Sequence, residues 1–175
     1  LPKKHSFRSE GRRPAMTFDE AFDKLIGHEG GYVNNPSDKG GETKYGISKN
    51  AYPRENIAEL TLERAKAIYL HDYWGPAGCD VVPDVLRFSL FDFAVNSSPK
   101  TAIKHLQKLV GVFADGIIGP HTLAAIQLSP PVRLAIAFNL DRLLFWSDLA
   151  DFNHFGAGWV RRGVKNILDL LPLVK

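Results

Sequence analysis

The sequence predicts a mostly α-helical chain with one small β-hairpin or loop excursion near its N-terminus. Three observations carry that expectation. Helix-start signals recur along most of its 175 residues. Apolar residues repeat at helical spacing behind those signals. One stretch alone, "HEGGYVNNPSDKGGETKYGIS" (28–48), is poor in packing residues and rich in turn-forming and charged groups.

The length suits one globular unit, or one unit with a smaller lobe. Hydrophobic residues make up 45% and charged residues 23%, enough to bury a core and too apolar for a disordered chain. The single Cys79 excludes an intramolecular disulfide and any all-cysteine metal site. Stability must therefore come from packing. Residues 1–15, "LPKKHSFRSEGRRPA", lack an apolar run long enough for a signal peptide or a membrane span and read as a disordered, non-native or leader extension. They hold five Lys/Arg and one Glu, so without them the net charge moves from +3 to −1. The basic pI of about 9.0 is thus a property of the extension, and a nucleic-acid partner loses its main support.

The elements follow in order. Thr17 and Glu20 form a T-x-x-E capping box ahead of a stripe of Phe18, Ala21, Phe22, Leu25 and Ile26. Continued at about 100° per residue, this helix brings position 29 back to the azimuth of Phe18. Glu29 would then sit on the core-facing side, with Gly30 and Gly31 as the helix stop. Asn34-Asn35-Pro36 and Asp38-Lys39-Gly40-Gly41 are turn signals, and Thr43 to Ile47 reads as a returning strand. From Ser48 the pattern is helical. Thr61 caps "LERAKAIYLHDYW", Pro83 opens "DVLRFSLFDFAVN", and Ser98-Pro99 opens a helix that Gly111 ends. A short helix follows around 122–127, a long one over 132–149 and a last one over 158–171. There is no repeat, low-complexity tract or heptad seam.

The chemistry concentrates at Glu29, Asp38 and Thr43. A glycosidase needs a carboxylic acid kept protonated near neutral pH by a dry surround, and a second polar group that holds water or stabilises an oxocarbenium-like centre. Glu29 fits the first role, Asp38 in its polar loop stays ionised, and Thr43 can orient water. Read from the residues alone, a second account stands beside this one: Glu29 pairs with a nearby cation and Asp38 caps a turn. Tyr45, two residues after Thr43, shares its face on a strand and can line a sugar subsite or simply pack. Asn96 can bind an N-acetyl group or cap a helix. Asp92, among apolar neighbours, reads as a structural partner for an Arg or a backbone amine.

The stretch 28–48 resembles the N-terminal signature of glycoside hydrolase family 108, the bacterial and phage N-acetylmuramidases used as endolysins. That pattern runs E-G-G-Y, N-x-P and D-x-G-G-x-T-x-x-G-I, and every position is matched. The resemblance continues in "YWGPAGCD" (73–80), "FDFAVNSSPKTAIKHLQ" (91–107), "DGIIGPHT" (115–122) and "FGAGWVRRGVKN" (155–166). The later segments resemble the family's accompanying peptidoglycan-binding region. The resemblance implies a lysozyme-like α-rich fold. It also implies a catalytic region over 16–100 and a helical wall-binding region over 101–175, packed as one unit. It implies cleavage of the β-1,4 bond between N-acetylmuramic acid and N-acetylglucosamine. Glu29 carries over as general acid, and Asp38 and Thr43 correspond to the other two members of a Glu, Asp/Cys, Thr triad, with the last gap one residue shorter than usual. Ser97-Ser98 departs from the pattern, which commonly has a glycine there.

No H-E-x-x-H or other paired ligand spacing occurs among the six histidines, so neither metal nor cofactor is expected. The expected partner is bacterial peptidoglycan, with no nucleic acid and no stable membrane anchoring. The protein is expected to be a monomeric endolysin made in the host cytoplasm, acting on the wall from the periplasm once a holin releases it. The rival readings are a lytic transglycosylase, which closes the muramyl product on itself without water, and a non-catalytic wall-binding protein. Trp74, Trp146 and Trp159 read mostly as core, Asp115 to Thr122 as a tight turn and helix start, and "WVRRGVKN" as a solvated basic face.

Overall fold

The computed structural model describes residues 15–27, 31–34 and 41–174. Most of the predicted extension, and both Glu29 and Asp38, lie outside the described residues. Helix α1 (Phe18–Ile26) starts where its capping box places it: the Thr17 hydroxyl accepts from the Glu20 amide at 3.2 Å, and the Glu20 carboxylate accepts from the Thr17 amide at 2.8 Å. It stops earlier than the sequence suggests. Gly27 is the C-cap at φ +64°, and its N–H closes on the Asp23 carbonyl. The helix therefore does not run on to the expected stop at Gly30-Gly31, and the core-facing placement expected for Glu29 falls outside the described residues.

The expected strand from Thr43 to Ile47 is itself a hairpin. Strands β1 (Thr43–Lys44) and β2 (Ile47–Ser48) pair antiparallel, Thr43 opposite Ser48 and Lys44 opposite Ile47. Tyr45 and Gly46 form the two-residue turn, both at positive φ (+51° and +75°), the handedness that matches strand twist. The alternation rule that gave Thr43 and Tyr45 a common face does not apply across a turn. Nor is the chain helical from Ser48: it runs in turns until Thr61, since Pro53 disfavours helical backbone at Tyr52.

Thr61 then caps α2 (Leu62–Tyr69), which runs into a π-helical turn, Leu70–Trp74. Helices α3 (Asp84–Ser97) and α4 (Pro99–Leu109) follow, then α5 (Pro120–Leu128), α6 (Pro131–Ser147) and α7 (Phe152–Leu170), with a last 3-10 turn at Leu171–Leu173. Helix α7 begins six residues before its expected start. Within it, Gly156 and Gly163 are places of close packing. A Cβ on Gly156 would lie 2.7 Å from the Phe152 ring, and one on Gly163 would lie 2.6 Å from Leu143 of α6.

Helix α3 is the axis of the fold. Residues Phe88 to Ala94 are all buried, so it is covered on every side. Towards the N-terminal half, Phe91 meets Phe18, Tyr69 and Trp74 edge-on. Towards the C-terminal half, Phe93 meets Phe138, Phe145 and Trp146. The two aromatic clusters share one helix as their wall. No single helix among the described residues is long and apolar enough to cross a membrane; α5 and α6 reach that composition only together, across a 110° bend.

Between α3 and α4, Ser98 adopts φ +92° and ψ +149°, a region essentially reserved for glycine. It is one of the two residues, Ser97-Ser98, at which the sequence departs from the glycine of the pattern it resembles. The Ser98 hydroxyl partly offsets the strain by accepting from the Thr101 amide at 3.3 Å. Glycine loses little as an N-cap and has no Cβ penalty here, so Ser98→Gly is expected to stabilise by about 0.5–1 kcal/mol. Urea unfolding at constant m-value checks this; a lower midpoint would show that the cap outweighs the strain.

Candidate functional site

Thr43 is fixed by backbone pairing on both sides. Its N–H and C=O exchange 2.8 Å hydrogen bonds with Val33, and it also sits opposite Ser48 in the hairpin. The Val33–Thr43 bridge brings two points ten residues apart in the chain side by side, and Gly41 at φ +70° stands two residues before Thr43. The Thr43 hydroxyl donates to the Gly41 carbonyl at 3.3 Å and is half-buried.

The hairpin is seated on the end of α1 and on α2. A Cβ on Gly46 would lie 2.5 Å from the Tyr69 hydroxyl and 3.6 Å from the Ile26 side chain, so only glycine fits this turn. The Tyr69 hydroxyl donates to the Tyr45 carbonyl at 3.1 Å, holding the left-handed Tyr45 in place. Burial pushes the Tyr69 phenol up to about 12, with Tyr73 adding to the shift and the Arg162 charge pulling against it. It is therefore a neutral donor at any physiological pH.

Of the expected site residues, Thr43 and Tyr45 share this hairpin. Asn96 lies in the last turn of α3, exposed, with no hydrogen bond to the hairpin among the described residues. The helix continues past it to Ser97, so it is not the C-cap. Glu29 and Asp38 belong to the undescribed segments that leave Gly27 and return at Gly41.

Sequence reasoning passed over a second polar group. Tyr52 donates to Asp72 at 2.8 Å and lies 3.2 Å from the Tyr73 hydroxyl, while His71 Nδ1 is 2.5 Å from the other Asp72 oxygen. Burial acts to raise the Asp72 carboxyl, yet hydrogen bonds from His71 and Tyr52 outweigh it and hold the group below the usual carboxylate range. Burial pushes the Tyr52 phenol up. Tyr52, His71 and Asp72 line a cavity of about 360 Å³ with Arg64 and Ile68. Spacing alone gives no hint of it, since Tyr52 meets Asp72 from a turn twenty residues away.

Asp92 is the most heavily partnered carboxylate. It is 1% exposed, and its Oδ2 accepts from Arg142 Nη1 at 2.6 Å and from Asn166 Nδ2 at 2.9 Å. Its Oδ1 accepts from Arg162 Nε at 2.6 Å, with Arg162 Nη2 close beside. Arg142 also donates to the Asp92 carbonyl and stacks 4.0 Å over the Trp146 ring. The expected structural role for Asp92 is what the structure shows. "WVRRGVKN" is corrected in part: Arg162 and Asn166 turn inward to Asp92, leaving Arg161 and Lys165 as its exposed cations.

A hydrolytic signature in the N-terminal half and a helical half locked to it define a class, and comparison with known proteins agrees. Residues 22–98 match glycosyl hydrolase 108, and residues 101–164 match the predicted peptidoglycan domain. The two matches meet at the Ser98 turn. The chain is also similar to the solved structure of SagA from Brucella abortus, at 34% identity over 89% of this chain and 94% of that one, with a TM-score of 0.80. No match was found among curated proteins. The chain belongs to glycoside hydrolase family 108: it is a glycoside hydrolase of the peptidoglycan-acting kind, with a peptidoglycan-binding region.

The Asp92 cluster generates a prediction with a definite sign. Burial acts to raise the Asp92 carboxyl, but the Arg142 and Arg162 charges and hydrogen bonds hold it below its ordinary value. A carboxyl depressed on folding contributes stability that is complete above its unfolded value, near 4, and lost as pH falls through the lower folded value. Urea midpoints are expected to drop steeply below about pH 4. Arg142→Met is expected to cost about 3 kcal/mol at pH 7 and to flatten that acid limb, because Asp92 loses its buried partner. An unchanged acid limb in the variant would remove Asp92 from the explanation.

Proposed function

We propose that this chain is an N-acetylmuramidase that cleaves the β-1,4 bond between N-acetylmuramic acid and N-acetylglucosamine. Glu29 acts as general acid on the glycosidic oxygen, Asp38 stabilises the developing positive charge or holds water, and Thr43 orients that water. Tyr45 and Asn96 contact the sugars. Residues 16–100 form the catalytic region and 101–175 the wall-binding region.

The observation that supports this reading most directly is the Val33–Thr43 bridge. Glu29 is four residues from Val33 and Asp38 five from Thr43, so the bridge keeps both carboxylates within about 18 Å of one point. Chain connectivity thus limits how far the three residues, spread over fifteen positions, can lie from one another. The glycines around them leave room for a bulky glycan to approach backbone.

The role proposed is that of an endolysin, reaching the wall after a holin opens the inner membrane. The discriminating experiment is digestion of purified sacculi by the wild-type protein and by Glu29→Gln, with products identified by mass. Reducing muramic-acid ends, and a loss of about a hundredfold or more in the variant, are the expected results. Anhydro-muramic ends would make it a transglycosylase. Binding without any release of fragments would leave a wall-binding protein.

A further inference from the structure

Two guanidinium groups face a single carboxylate at Asp92, so the buried group carries one positive charge in excess. Arg142 is wholly buried, whereas the Arg162 side chain is 36% exposed. The surplus charge is therefore presented to solvent by Arg162. It opens into a cavity of about 280 Å³ between the end of α1 and α7, lined by Lys24, Leu25, Arg161, Arg162, Lys165 and Asn166.

The cations here are not equivalent. Lys24 is offset by Asp169 at 2.7 Å. Arg161 and Lys165 are exposed, have no ion-pair partner among the described residues, and stand four apart on one helix face, where like charges repel. The one acidic group lining the cavity, Asp92, already has its oxygens occupied. Arg162 is held by its Nε and Nη2, leaving Nη1 directed to no protein acceptor among the described residues. A guanidinium locked by a buried carboxylate loses little freedom on binding an anion, which is the economy of a preorganised site.

A neutral sugar can accept hydrogen bonds here but does not balance the surplus positive charge. The peptide stems of peptidoglycan do, because they carry its free carboxylates. We infer that this cavity binds a carboxylate of the peptide stem, with Arg162 as the fixed contact and Arg161 and Lys165 supplying attraction. The inference rests on the glycan being the substrate, as proposed above, and assigns α7 a part in choosing stem-bearing strands.

The test compares soluble glycan strands that carry stems with the same strands freed of stems by an amidase, which instead expose lactyl carboxylates. In R161Q/K165Q, the ratio of kcat/KM on stem-bearing to stem-free strands is expected to fall about fivefold to tenfold, through KM. Non-specific charge loss is controlled by K108Q/R133Q, which removes two exposed cations outside the cavity and is expected to leave the ratio in place. Both doubles are on exposed helix positions, and thermal unfolding verifies the fold. A parallel titration of the wild-type protein with the free stem tetrapeptide follows the Arg162 Nε–H signal by NMR. A shift that weakens in R161Q/K165Q supports the assignment. An equal loss on both strands, or no loss and no shift, overturns it. Should the wild type cut neither strand while the tetrapeptide still shifts Arg162, the muramidase reading fails and the cavity's assignment stands.

Discussion

The buried carboxylate of Asp92 is the constraint on which the rest of the structure depends. An ionised group in a dry interior is tolerated only with partners that return what it loses in hydration. Its three side-chain partners come from two helices: Arg142 on α6, and Arg162 and Asn166 on α7. The requirement to satisfy one side chain on α3 thus fixes the position of both long C-terminal helices. Because α3 also forms the wall of the N-terminal aromatic cluster, the hydrolase half and the peptidoglycan-binding half share a single core.

A second buried network performs a similar task locally. The Gln107 amide lies within hydrogen-bond distance of Asp115 Oδ1, the Ile117 carbonyl and the Thr122 hydroxyl, and its oxygen accepts from Gly116. That single side chain shapes the turn of "DGIIGPHT", whose polar groups would otherwise be buried unpaired. Asn139 does the same between α3 and α6, donating to Ser89 and to the Ala135 carbonyl at 2.8 Å each. Polar residues on the helix faces select which helix meets which, while apolar area supplies most of the stabilisation.

Around the hairpin the logic changes from burial to backbone geometry. Tyr45 and Gly46 in left-handed conformations, Gly27 and Gly41 likewise, give a chain that reverses direction within very few residues. Tyr69 ties this turn to α2 and so to the aromatic core. The hairpin and the Val33–Thr43 bridge together hold Val33 and Thr43 side by side at a fixed separation.

Much of this was legible in the sequence because the signals were local. The capping box at Thr17 and Glu20, the caps at Thr61 and Ser98, the prolines opening α4, α5 and α6, and the mostly α-helical class all depend on residues a few positions apart. The family signature was legible for the same reason, since its glycines and polar residues are read in one continuous run. Other features depended on neighbours distant in the chain. The start of α7 at Phe152, ahead of the expected 158, goes with Gly156 packing on the Phe152 ring and Gly163 on Leu143 of α6. The hairpin replaced a longer strand because Tyr69 and Ile26 leave space for a turn at Gly46. The sequence by itself determined most of the helices and the family, because both are written in residues close together along the chain. The tertiary structure decided which charges are buried together and which face solvent, because burial and partnership are properties of three-dimensional packing.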